Sequence, residues 1–131
     1  MIRIIVNPPE TNLFDIREIL STDTEREITD ILVSINPFYI VAEDGGCTVG
    51  IASISMGDGA AELYKMYVSP LYRRRGVAQA LFIELLRVLR NRNIEELYVE
   101  TITSAGRAFL QAVTSEFEVQ HLHGDKFSVL I

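Results

Sequence analysis

Three consecutive arginines, Arg73, Arg74 and Arg75, run directly into Gly76, Val77 and Ala78. The apolar run before them reads as a strand that stops at Ser69-Pro70, and the periodic run after them reads as a helix. A strand that enters a helix through such a turn builds an anion site. The amides of the helix's first turn lack intrahelical partners, and the helix dipole adds positive potential there. Gly76 removes a Cβ where a phosphate would approach the backbone, and Ala78 is nearly as small. The arginines add charge that can reach phosphate oxygens. An arginine triplet alone is commonplace on surfaces. Its position between strand and helix makes it informative.

Two carboxylates flank this segment. Glu62 opens the strand that leads into the turn, and strict alternation would set Glu62, Tyr64, Met66 and Val68 on one face. Glu100 belongs to the next predicted strand. A carboxylate beside a bound cofactor can take a proton from a reacting group or hold an ammonium ion. Glu62 is the stronger candidate for a base; the competing reading is a strand-opening residue in solvent beside Gly59. Glu100 is the second candidate, equally suited to orienting an ammonium group. Tyr64 and Tyr67 read as packing or substrate-wall residues.

Other reactive side chains carry less. Cys47 follows a glycine turn with no histidine nearby. His121 and His123 would share a strand face at metal-ligand spacing, but two histidines without a third ligand argue against zinc, and no metal is expected. Arg107 falls in the first turn of a late helix and reads as solvated. Asp23, Glu25, Glu27 and Asp30 read as a solvated helix face able to attract cations.

The elements that must position these residues follow from periodicity. Met1 to Val6, stopping at Asn7-Pro8-Pro9, reads as a strand. Asn12 can cap a helix carrying Leu13, Ile16, Ile19 and Leu20. Thr24 and Glu27 have capping-box spacing ahead of Ile28, Ile31, Leu32 and Ile35, which predicts a second helix ended by Pro37. Three strands follow, starting at Phe38, Thr48 and Glu62 and separated by Gly-rich turns, as an antiparallel meander. Val77, Leu81, Leu85, Val88 and Leu89 mark a helix, Ile94–Ile102 a strand, and Ala105 to Val113 another helix capped by Thr103 or Ser104. Two final strands surround His123-Gly124-Asp125. The expected class is α/β with a mixed sheet, in the order β-α-α-β-β-β-α-β-α-β-β.

The chain has 131 residues, 48% hydrophobic and 23% charged, which fits one packed domain over residues 1–131. A net charge of −6 argues against general nucleic-acid binding and leaves a cationic partner feasible. One cysteine excludes an intrachain disulfide framework. No run reaches membrane-spanning length and no cleavable signal precedes the body, so a cytoplasmic location without membrane partners is expected. The last strands offer an edge through which two copies could pair.

Arg73-x-x-Gly76-x-Ala78 resembles the Gln/Arg-x-x-Gly-x-Gly/Ala signature of the GNAT superfamily of N-acetyltransferases. The stretch Leu63-Tyr-Lys-Met-Tyr-Val-Ser-Pro70 looks like that family's fourth strand, and the element order is similar from end to end. The resemblance implies acetyl-CoA as co-substrate. Arg73, Arg74, Arg75, Gly76, Val77 and Ala78 would hold its diphosphate, mainly through backbone amides. Met66, Tyr67 and Val68 would lie along the pantetheine arm, and an amide near Val68 would polarise the thioester carbonyl. The fourth and fifth strands would splay apart, with Tyr98 to Ile102 lining the far side.

Glu62 then matches the base position of several members, with Tyr64 and Glu100 facing an amine acceptor. The implied activity is acetyl transfer to a primary amine by direct attack in a ternary complex. A late family motif aligns as Thr103-x-x-Gly106-x-x-Phe109-Leu110, which adds Thr103 and Phe109 to the coenzyme contacts. Leu110 replaces a tyrosine that would protonate the leaving thiolate. That departure supports a second reading, a coenzyme-binding sensor or interaction scaffold with the same fold. The acceptor is not legible.

Overall fold

The computed structural model describes residues 1–100, 104–113 and 116–131. The elements are β1 (Ile2–Val6), α1 (Glu10–Thr22), β2 (Pro37–Asp44), β3 (Cys47–Met56), β4 (Ala60–Val68), α2 (Val77–Asn91), β5 (Glu96–Glu100), α3 (Ser104–Val113), β6 (Glu118–His123) and β7 (Lys126–Leu130). A single 3₁₀ turn, Pro70–Tyr72, precedes the basic turn. The strands form one mixed sheet in the order β1-β2-β3-β4-β5-β7-β6. The β4–β5 pair is parallel and the other pairs are antiparallel. The α/β class and the β2-β3-β4 meander agree with the sequence expectation.

Each face of the sheet has its own core. On one face the stripe Val77, Leu81, Phe82, Leu85, Leu86, Val88 and Leu89 of α2 is buried against Ile40, Ala52, Ile54, Leu63 and Leu97. Phe82 meets Phe109 of α3 edge-to-face, with ring centroids 5.3 Å apart. On the other face Ile16 and Leu20 of α1 pack with Ile31, Val41, Ile51 and Tyr67. Asn12 does not cap α1, which starts after Pro9. It is buried in the first turn and donates to Glu43 and to Thr48 Oγ1 (both 2.7 Å), fastening α1 to β2 and β3.

The second expected helix is absent: residues 23–36 form turns and irregular backbone. Side chains satisfy the backbone groups that a helix would have paired internally. The Asp23 carboxylate accepts from Glu25 N–H at 2.9 Å, and that of Asp30 from Ile31 and Leu32 N–H at 2.8 and 3.1 Å. From the sheet, Ser53 Oγ donates to Ile31 O, Ser55 Oγ donates to Ile35 O, and Tyr39 Oη accepts from Val33 N–H. The predicted stripe reduces to one fully buried side chain, Ile31. Asp23, expected on a solvated helix face, is buried.

Two bulges also reset the strand faces. Leu63 and Lys65 lie opposite the consecutive residues Ile54 and Ser53, so Tyr64 is an extra residue in β4. His121 and His123 likewise lie opposite Phe127 and Lys126, which makes Leu122 the extra residue in β6.

Candidate active site

The parallel register of β4 and β5 runs from Ala60↔Glu96 to Leu63↔Val99 and stops there, although β4 continues to Val68. Among the described residues no strand pairs with that edge of β4 beyond Leu63. Ser69 N–H donates to Val49 O on β3 at 2.8 Å. Backbone groups alternate in direction along a strand. Tyr67 therefore faces β3, and Met66 and Val68 turn their amides and carbonyls toward the open edge. Of the expected splay the described residues include the β4 side, where the Met66 backbone and the Val68 amide lie on the open edge, while the Val68 carbonyl accepts from Arg73. Tyr67 is not on that edge: its backbone lies in the β3 ladder and its side chain is only 5% exposed.

The open edge leads into the basic turn. Arg74 (φ 62°) and Gly76 (φ 79°) both adopt left-handed backbone, which folds the turn tightly before α2. The first bond of the helix is Ala80 N–H to Gly76 O at 3.0 Å, so the amides of Val77, Ala78 and Gln79 precede its ladder. Gly50 on β3 lets this end of α2 approach the sheet. A Cβ there would stand 3.0 Å from Val77 Cγ1 and 3.3 Å from Leu81 Cδ1.

The three arginines go three ways. Arg73 turns inward: Nε donates to Val68 O at 3.1 Å, and Nη2 donates to Asp23 Oδ2 at 2.9 Å. Arg75 lies over the Tyr72 ring at 5.2 Å, and Tyr72 Oη donates to Asp44 Oδ2 at 2.8 Å. Arg74 has no hydrogen-bond or ion-pair partner among the described residues. Arg73 is thus a strut rather than a free cation. Sequence reasoning could not separate three identical neighbours.

Asp23 is the residue that sequence reasoning missed. Its carboxylate also accepts from Tyr67 Oη at 2.8 Å, joining β4, the turn and the segment 23–36. The Tyr67 hydrogen bond, with help from Glu25 N–H and Arg73, outweighs burial and holds the Asp23 pKa below the usual carboxylate value. Burial, reinforced by the same carboxylate, pushes the Tyr67 phenol up. Tyr67 is therefore a neutral donor at the heart of this network.

Glu62 does not share a face with Met66 and Val68, contrary to strict alternation. The extra residue at Tyr64 shifts the phase, so Met66 and Val68 join Leu63 toward the α2 core while Glu62 faces the opposite side. Glu62 lies across from Ser55 on β3 and beside Tyr98 on β5. There it borders a cleft of about 300 Å³ whose lining includes Tyr98, Glu100, Leu122, His123 and Lys126. Tyr98 Oη donates to Glu96 Oε1 at 3.2 Å, which raises the Tyr98 pKa. Tyr64 is 47% exposed, at the bulge.

The late motif fares differently. Phe109, partly buried, packs edge-to-face on Phe82, and Leu110 is buried in the α2 core. Thr103 lies outside the described residues, as do Thr101 and Ile102 of the expected cleft wall. His121 and His123 occupy opposite faces because of the Leu122 bulge. Among the described residues no three His, Cys, Asp or Glu side chains are grouped to hold a metal ion. No helix among them is long and apolar enough to cross a membrane.

The acetyltransferase (GNAT) family model matches residues 6–111. Solved structures share the fold. The PaiA N-acetyltransferase of Thermoplasma acidophilum, in complex with coenzyme A, superposes with a TM-score of 0.73 at 16% identity, covering 99% of this chain and 98% of that one. The ribosomal-protein-S18-alanine N-acetyltransferase of Escherichia coli gives 0.74 at 16% identity, covering 99% and 91%. YhhK of E. coli, solved bound to coenzyme A, gives 0.69 at 17% identity, covering 100% and 99%. No curated protein shows significant sequence similarity to the chain.

Proposed function

We infer function from one premise: the chain belongs to the acetyltransferase (GNAT) family. Our reading is a cytoplasmic N-acetyltransferase that moves an acetyl group from acetyl-CoA to a primary amine by direct attack. The observation that carries it is the split between β4 and β5. It offers the Met66 backbone and the Val68 amide on one edge, ends at the first turn of α2, and has Glu62 at its closed end.

The coenzyme diphosphate lies on the amides of Gly76, Val77 and Ala78, with Arg74, unpaired among the described residues, as a nearby cation. The pantetheine arm lies along Met66 and Val68 as an added strand. The Val68 amide faces the thioester oxygen and stabilises the charge that grows on it. Arg73 donates to the Val68 carbonyl, in the next peptide unit, and so steadies the Val68 backbone. The acceptor enters as an ammonium ion and gives one proton to Glu62, through water. Its neutral nitrogen attacks the carbonyl carbon; the C–N bond forms, the C–S bond breaks, and coenzyme A leaves as thiolate. The second nitrogen proton goes to solvent, and the thiolate takes a proton from water.

With Leu110 buried, no tyrosine stands ready as general acid at that position. This favours a second reading, coenzyme binding without turnover. Thiol release from acetyl-CoA over an amine panel separates the two. Glu62→Gln is expected to lower kcat about 100-fold while calorimetry reports unchanged coenzyme affinity. Tight coenzyme binding with no thiol release from any amine, peptide or lysate would leave only the sensor reading.

A further inference from the structure

The cleft beside Glu62 is lined by charges of both signs, and they are sorted by position. Glu62 on β4 and Glu100 on β5 stand at one end; Lys126 on β7 and His123 on β6 stand at the other. The order is imposed by register. Glu62 pairs with Tyr98, Glu100 is the next residue of β5 on that face, Lys126 lies opposite Glu100, and His123 lies opposite Lys126. The bulge at Leu122 is what brings His123 to this face; without it the alternation would carry His123 to the side of Phe127. None of the four side chains has a hydrogen-bond or ion-pair partner among the described residues. Elsewhere on the same face Glu96 is already taken by Tyr98 and Ser128.

A cleft that needed only to attract an ammonium ion would gain nothing from a cation in its wall. Lys126 would repel a diamine, and it would sit unused beside a simple alkylamine. Both ends are satisfied together by an acceptor with an ammonium at one end and an anion at the other. Adjacent strands are about 4.8 Å apart, so the row from β5 through β7 to β6 sets the two groups about 5–10 Å from each other. The cleft volume, about 300 Å³, fits a small molecule.

We propose that the acceptor is a small zwitterionic amine, of the ω-amino-acid class, whose ammonium meets Glu62 and Glu100 while its carboxylate meets Lys126, with His123 alongside. This rests on the acetyltransferase reading. It assigns Lys126 as a specificity residue, and its ammonium donates charge-assisted hydrogen bonds to the acceptor's carboxylate.

The test compares 5-aminopentanoate, pentylamine and 1,5-diaminopentane, which share one chain and differ in the charge at the far end. The expected kcat/KM for 5-aminopentanoate is at least about tenfold above pentylamine, with the diamine lowest. Lys126→Glu should reverse the order and place the diamine first, whereas Lys126→Arg should keep 5-aminopentanoate first. Lys126 is an exposed strand residue, so both variants should fold, and circular dichroism checks that. Turnover that ignores the far-end charge, or an order unmoved by Lys126→Glu, overturns this proposal alone. Absence of turnover with every amine overturns the acetyltransferase reading and this proposal with it.

Discussion

Of the stretches that announce a helix N-terminus, two make an instructive pair: one becomes a helix and the other does not. Thr24 and Glu27 show capping-box spacing before an apolar stripe, yet residues 23–36 are irregular. Gly76 has no side-chain cap at all, yet Val77–Asn91 is a helix of 15 residues. The difference lies in tertiary burial. The α2 stripe buries Val77, Leu81, Phe82, Leu85, Leu86, Val88 and Leu89 against the sheet, and packing of that kind outweighs any cap. The earlier stretch fully buries Ile31 alone, and Asp23, Asp30, Ser53, Ser55 and Tyr39 offer its backbone other partners. The helix start leaves the amides of Val77, Ala78 and Gln79 ahead of its hydrogen-bond ladder. The irregular segment is held to the sheet by side chains.

The sharpest way to break the comparison is at the helix start. Gly76→Val puts a β-branched residue at φ 79° and a side chain where phosphate would lie. Coenzyme affinity measured by calorimetry should fall about 100-fold, roughly 3 kcal/mol. Circular dichroism should still show the fold, because a Cβ at Gly76 meets nothing within 4 Å. A variant that keeps wild-type affinity would remove the turn from the coenzyme site.

The next test addresses the irregular segment. Asp23→Asn keeps an acceptor for Tyr67 Oη but removes the charge that holds Arg73. The side chain of Asp23 is 3% exposed and that of Arg73 41%, so the loss should be about 1–3 kcal/mol in urea unfolding at pH 7. The Asp23 pKa is lowered in the fold, first by Tyr67. Its stabilisation is therefore complete above the unfolded carboxylate value, about 4, and disappears as pH falls through the lower folded value. The gap between wild type and variant should narrow below about pH 4. A gap that stays constant to pH 2 would show that the charge does not act.

What could be read from the sequence divides along the same line. The strand, basic turn and α2 were legible because periodicity, Pro70 and Gly76 are local signals. That Glu62 and Glu100 lie on neighbouring strands followed from the family resemblance; the register that sets Glu62 beside Tyr98 did not. The two bulges were not legible. Tyr64 and Leu122 carry no glycine or proline to mark an extra residue, and each reverses the face of everything beyond it. The role of Arg73 was equally hidden, because its partner Asp23 lies 50 positions away and was read as part of a solvated helix.

The smallest expected effect isolates the irregular segment from the helix start. Ser53 is fully buried, and its hydroxyl donates to Ile31 O, tying the segment to β3 two residues from Ser55, which faces Glu62. Ser53→Ala leaves that carbonyl without its partner at a cost of about 1 kcal/mol in urea unfolding. If the segment serves as one wall of the acceptor side, KM for the amine should rise about threefold, as one weakened contact implies, while calorimetry gives the same coenzyme affinity. A loss of coenzyme affinity instead would mean that the two regions are mechanically one, linked through Asp23 and Arg73. The helix start would then depend on the very segment that failed to become a helix.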